Sequence, residues 1–81
     1  MKTIIREGRL WQIEKNRTLP ENIRQAIMYY HDKFGETFGE VRMRPEERER
    51  MRADMCQGVK LISDTSVLAG HLYLTGRNSE E

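Results

Sequence analysis

The apolar residues of the chain follow two rhythms. Between Leu19 and Phe34 they recur as Leu19, Ile23, Ala26, Ile27, Tyr30 and Phe34, a spacing that places all six on one face of a helix. Thr18-Leu19-Pro20-Glu21 opens this run as a capping box. The Thr18 hydroxyl can accept from the Glu21 amide while the Glu21 carboxylate reaches back. Pro20 costs little in the first turn, where its missing N–H would be unpaired, and Gly35 stands where a helix closes. Elsewhere the period is two. Trp11 and Ile13 alternate with Leu10, Gln12 and Glu14, and Val41 and Met43 alternate with Glu40, Arg42 and Arg44.

These rhythms predict a sequence of elements. Lys2 to Glu14 reads as a hairpin reversing at Glu7-Gly8, with a single bent strand as the alternative, followed by the helix from Leu19 to about Phe34. Glu36 to Arg44 reads as a strand, and Pro45 opens a second helix that runs to about Gln57 and stops at Gly58. Val59 to Ser63 and His71 to Thr75 are strands joined by the connection Asp64 to Gly70. The polar tail over 78–81 is expected to fray. The order is ββαβαββ. It points to an α+β fold: a small two-layer sandwich with an N-terminal β-hairpin, two helices and a small mixed or antiparallel sheet. Residues 1–77 make one domain.

Composition sharpens this picture. Hydrophobic residues are 37% and charged residues 33% of 81, so a thin core lies under a charged surface and no deep cavity is expected. Fourteen basic against thirteen acidic residues give +1, which leaves no global field to draw the chain onto nucleic acid or an anionic membrane. The lone cysteine, Cys56, rules out an internal disulfide. Arg6 and Glu7 interrupt the opening apolar residues at once, so neither signal peptide nor membrane span is expected and the expected location is cytoplasmic.

Candidate chemistry is sparse. His31, His71 and Cys56 lack the spacing of a metal site, and neither metal nor cofactor is expected. Cys56 ends the second predicted helix, where the dipole would raise its thiol pKa. Neither a nucleophile elbow nor a phosphate loop is present. Arg42, Arg44, Arg48, Arg50 and Arg52 are matched by Glu40, Glu46, Glu47, Glu49 and Asp54. On a helix Glu46 with Arg50 and Arg50 with Asp54 stand four apart, so this surface pairs with itself. Arg48 shares a face with Met51 and Met55 and either snorkels over the core edge or reaches a partner.

Two surfaces remain. On the first helix, Met28 points away from the apolar face and Tyr29 stands on its flank. Both residue types are favoured in binding surfaces, with Arg24 and Asp32 here as rim. On the strands, Arg42, Arg44, Lys60, His71 and Tyr73 would share the sheet face opposite the core. Such a basic face with an aromatic suits single-stranded nucleic acid, although stacking platforms usually carry more than one ring. The leading expectation is a non-enzymatic accessory protein that docks to another protein through Met28, Tyr29 and Arg48. The alternative is weak single-strand binding on the basic sheet face. A second alternative is a small enzyme whose site is completed by a second copy in a homo-oligomer. Gly58-Val59-Lys60-Leu61-Ile62-Ser63-Asp64 with Gly70-His71-Leu72-Tyr73-Leu74 resembles strand pairs in small phage and mobile-element proteins. The resemblance implies an origin and carries no site.

Overall fold

A computed structural model describes residues 8–76 and 78–79 of the chain. Helix α1 spans Leu19–Phe34 and begins with the capping box that its sequence predicts: the Glu21 amide donates to Thr18 Oγ1 at 3.2 Å and the Thr18 amide to Glu21 Oε1 at 3.3 Å. It ends at Gly35, whose φ of 67° and N–H bond to the His31 carbonyl close the last turn, a conformation that costs glycine least.

The strands before and after α1 are β1 (Arg9–Gln12), β2 (Glu36–Thr37), β3 (Glu40–Met43), β4 (Met55–Cys56), β5 (Val59–Ser63), β6 (His71–Thr75) and β7 (Asn78–Ser79). Five of them form a mixed sheet in the order β1-β6-β3-β5-β4, while β2 and β7 pair separately. The central strand β3 runs parallel to β5, with Val41 beside Leu61, and antiparallel to β6, with Val41 beside Leu74. Parallel neighbours need a crossover, and residues 44–58 supply it.

One sheet face meets α1. Val41, Met43, Val59, Leu61, Leu72 and Leu74 form a single buried cluster with Leu19, Ile23, Ala26 and Phe38, and Trp11, Ile27, Tyr30, Met51 and Cys56 pack against it. The chain is thus a small α+β two-layer structure. Strand alternation sends the intervening residues to the opposite face. There Leu10, Tyr73, Arg42 and Ile62 stand side by side across β1, β6, β3 and β5.

The structure departs from the sequence pattern in four places. The second helix, α2, covers only Pro45–Arg48 instead of continuing to Gln57. No residue of it is buried, and a helix without an apolar face to bury has little to hold it beyond one turn. Gln57 and Gly58 then take φ values of 55° and 81°, the pair of positive angles that suits a two-residue hairpin, and the turn folds Cys56 back against Val59. Gly58 therefore turns a hairpin rather than ending a helix. The predicted strand Glu36–Arg44 divides into β2 and β3, which join different sheets. Asn78–Ser79, assigned above to a tail, pairs with Glu36–Thr37. Phe34 is 48% exposed rather than part of the buried stripe. It occupies the final turn of α1, next to the Gly35 cap where the chain turns away into β2. The first limb of the predicted hairpin, with Ile4 and Ile5, lies outside the described residues. The element order accordingly differs from ββαβαββ, while the fold class stands.

Hydropathy gives no hint of Asn22, which is 1% exposed. Its amide nitrogen donates to the carbonyls of Glu14, Arg17 and Thr18, and its Oδ1 accepts from the Glu14 amide at 2.8 Å. One side chain thereby satisfies the backbone of the β1–α1 connection, as buried polar groups require.

Ile23→Ala should lower stability by about 2–5 kcal/mol, because Ile23 is fully buried and truncation leaves a cavity. Phe34→Ala should cost less than half of that, since much of the ring is already in water. Urea unfolding of the two variants measures the difference. Equal midpoints would contradict the position of Phe34 outside the core.

Candidate functional site

The chain has one tryptophan, three tyrosines and two phenylalanines, and all of these except Tyr73 meet in one cluster where β1 crosses α1. The Trp11 ring lies 5.8 Å from Tyr29 and 5.9 Å from Tyr30, and the two tyrosines are edge to face at 5.1 Å. Phe34 stacks on Tyr30 at 6.2 Å, and Phe38 meets it edge-on at 6.0 Å. These separations and tilts suit aromatic pairs, whose ring edges are positive and faces negative. The Trp11 Nε1 is buried and has no hydrogen-bond partner among the described residues.

Arg9 locks the cluster at one end. Its Nε and Nη2 donate to the two carboxylate oxygens of Glu36 at 2.9 and 2.7 Å, a fork geometry that only arginine offers. The same guanidinium lies 4.5 Å from the Phe34 ring centre and 5.3 Å from that of Tyr30, within cation–π range. Hydrogen bonding to Glu36 is the main cause that pushes the Arg9 pKa above its ordinary value. Burial pushes the Tyr30 phenol up, against the opposing pull of Arg9, and that hydroxyl donates to the Leu10 carbonyl at 3.3 Å.

At its outer flank the cluster reaches solvent. Tyr29 is 45% exposed and Met28 47%. Lys33 Nζ stands 5.8 Å from the Tyr29 ring and Arg24 Nη1 lies 3.5 Å from Met28 Sδ. Sequence reasoning finds Met28 and Tyr29 from their helical position. It misses Trp11 as the ring behind Tyr29, because the pairing of β1 with α1 is a long-range contact that periodicity does not encode.

The other sequence-predicted residues are committed elsewhere. Arg48 donates to the Met51 carbonyl at 3.3 Å and to Asp54 at 2.8 Å, stapling the crossover. Arg42, Lys60, His71 and Tyr73 do share the face opposite α1, as alternation expects. Arg42, however, is bonded to Asp64 at 3.1 Å and to Glu40 at 3.4 Å. Arg44 bonds Glu46 at 2.8 Å and the Thr65 and Val67 carbonyls. Lys60 lies beside Glu40 in the β3–β5 register, His71 Nδ1 is 2.9 Å from the Ala69 carbonyl, and the Tyr73 hydroxyl accepts from the Gly8 amide at 2.8 Å. Arg44, predicted on this face, instead lies past the end of β3 as the N-cap of α2, and carboxylates pair with both it and Arg42.

Among the described residues, no three His, Cys, Asp or Glu side chains converge as metal ligands would, and no helix is long and apolar enough to cross a membrane. Cys56 lies in a hairpin, not at a helix end, and burial rather than a dipole pushes its thiol up. No protein-family model, curated protein or solved structure matches the chain.

Arg9→Met should cost about 1–3 kcal/mol, because it takes the arginine from a carboxylate only 6% exposed in its side chain. It should also weaken near-ultraviolet dichroism from the aromatic cluster. An unchanged urea midpoint would show that the Arg9–Glu36 pair adds nothing. For Cys56, the pH dependence of alkylation should lie above that of the urea-unfolded chain, since burial disfavours the thiolate. Coincident profiles would contradict the half-buried placement of the thiol.

Proposed function

We propose that the protein is a non-enzymatic docking module that seats a partner protein on the outer flank of α1. Tyr29 carries this reading. It is 45% exposed, yet Trp11, Tyr30 and Lys33 hold it from three sides. An aromatic already fixed in place loses little conformational freedom on binding, and Tyr is among the residues that most often dominate interface energetics. Met28 beside it supplies an adaptable apolar contact. Arg24, Asp32 and Lys33 give the polar rim that surrounds such anchors. Arg42 and Arg44 are already paired with carboxylates, so the aromatic flank is the stronger candidate surface.

Capture from the native host with the intact protein, followed by substitution, tests this reading. Met28→Ala with Tyr29→Ala should weaken the captured complex by about 2 kcal/mol or more, roughly thirtyfold in Kd, with the thermal midpoint nearly unchanged. His31→Ala, His71→Ala and Cys56→Ala should leave capture intact in folded protein. Loss of activity on any of these three, with the fold retained, would point instead to a catalytic site.

A further inference from the structure

A groove lies between the start of α1 and the segment that follows α2. One wall is the first turn of α1 and the other is the crossover between α2 and β4. The groove is open to solvent with a volume of about 520 Å³, and Leu19, Pro20, Met51, Ala53, Met55 and Cys56 give it an apolar lining. That volume lies in the range of small-molecule sites. Met55 is 57% exposed, a large apolar side chain left in water beside the cavity.

Charge around the groove is one-sided. Arg50 and Arg52 line it together with Thr18, and no acidic side chain does. Arg50 is bonded to Glu47 at 3.2 Å. Arg52, like Arg24, has no carboxylate within ion-pair distance among the described residues, whereas Arg9, Arg17, Arg42, Arg44, Arg48 and Arg50 all have one. The Arg52 guanidinium is thus available to meet an anion at the mouth of an apolar groove. The α1 N-terminus adds nothing to this count, because Thr18 and Glu21 already cap it.

We infer that this groove is a binding site for an aliphatic carboxylate, with its hydrocarbon chain against Leu19, Met51 and Met55 and its carboxylate on Arg52. Methionine surfaces conform to flexible apolar ligands, and the planar guanidinium matches a carboxylate in two parallel hydrogen bonds. The site is separate from the Tyr29 flank, so its failure would leave the docking reading untouched.

Cys56 lines the groove and is the only thiol of the chain, so its alkylation by iodoacetamide reports occupancy directly. Dodecanoate, added below its micelle-forming concentration, should slow alkylation about fivefold or more at saturation. Dodecyltrimethylammonium, with the same chain and the opposite charge, should not. Arg52→Gln should weaken dodecanoate about tenfold, the effect of one charge-assisted contact. Unfolding by the amphiphile would speed alkylation instead, so the sign separates binding from denaturation. The proposal is overturned by equal protection from the cationic amphiphile, by an unchanged dodecanoate affinity in Arg52→Gln, or by no slowing, or faster alkylation, at any dodecanoate concentration. Protection by an acidic amphipathic peptide in place of dodecanoate would assign the groove to a protein partner and overturn it equally.

Discussion

A buried carboxylate dictates how the two sheets and the helix meet. Glu36 is 4% exposed, and a charge so far from water must be answered at close range. The answer is Arg9, which lies far from it in sequence on the edge strand of the larger sheet. Once that pair forms, β1 is tied to the start of β2, and β2 is tied to the end of α1 through Gly35. The arginine then has one direction to lie in, across Phe34 and Tyr30. The aromatic cluster is ordered as a consequence, and with it the exposed ring of Tyr29. An electrostatic requirement at one position thus positions an apolar surface on the far flank of the helix.

The crossover between β3 and β5 shows the opposite balance, where charge replaces burial without producing a long helix. Five acidic and five basic residues lie over Glu40 to Asp54, and of the pairs they form only Glu47 with Arg50 keeps a helical spacing. Glu47 meets Arg50, Arg44 meets Glu46, and Arg48 reaches over to Asp54. Exposed pairs of this kind contribute little. Short-range bonds to carbonyls, such as Arg48 to Met51 and Arg44 to Thr65, shape the segment instead. The chain is thereby free to open after one turn and to place Met51 and Cys56 against the core.

How far the sequence announces this structure depends on whether a feature is local. The capping box, the Gly35 cap, and the strands Val59–Ser63 and His71–Thr75 all follow from neighbouring residues and stand where the pattern puts them. The second helix fails because charge spacing mimics helical order without supplying an apolar stripe. Gly58 is equally compatible with a helix stop and a hairpin turn, and only the pairing of Cys56 with Val59 decides between them. Asn22 and Glu36 are invisible to hydropathy, since polar residues are expected outside. Asn22 is buried because the backbone of the preceding connection satisfies it, and Glu36 because the distant Arg9 does. Of the candidate site, Met28 and Tyr29 are legible from helix geometry. Trp11 behind them and the groove beside Arg52 are not, because both arise where segments remote in sequence come together.

The pairing of β1 with β6 has a consequence for the order of events during synthesis. Arg9 opposes Leu74 and Gln12 opposes His71, so the first described strand finds its neighbour only after everything between them has been made. The central strand β3 likewise waits for both β5 and β6. A chain growing from its N-terminus can form α1, but it cannot close the sheet beneath it until β6 emerges. Contacts this remote in sequence slow closure. Until then Leu19, Ile23 and Trp11 face water or whatever else is near the nascent chain. Among the described residues α1 is therefore the element that local sequence can build early, and the sheet closes on it only once β6 has been made.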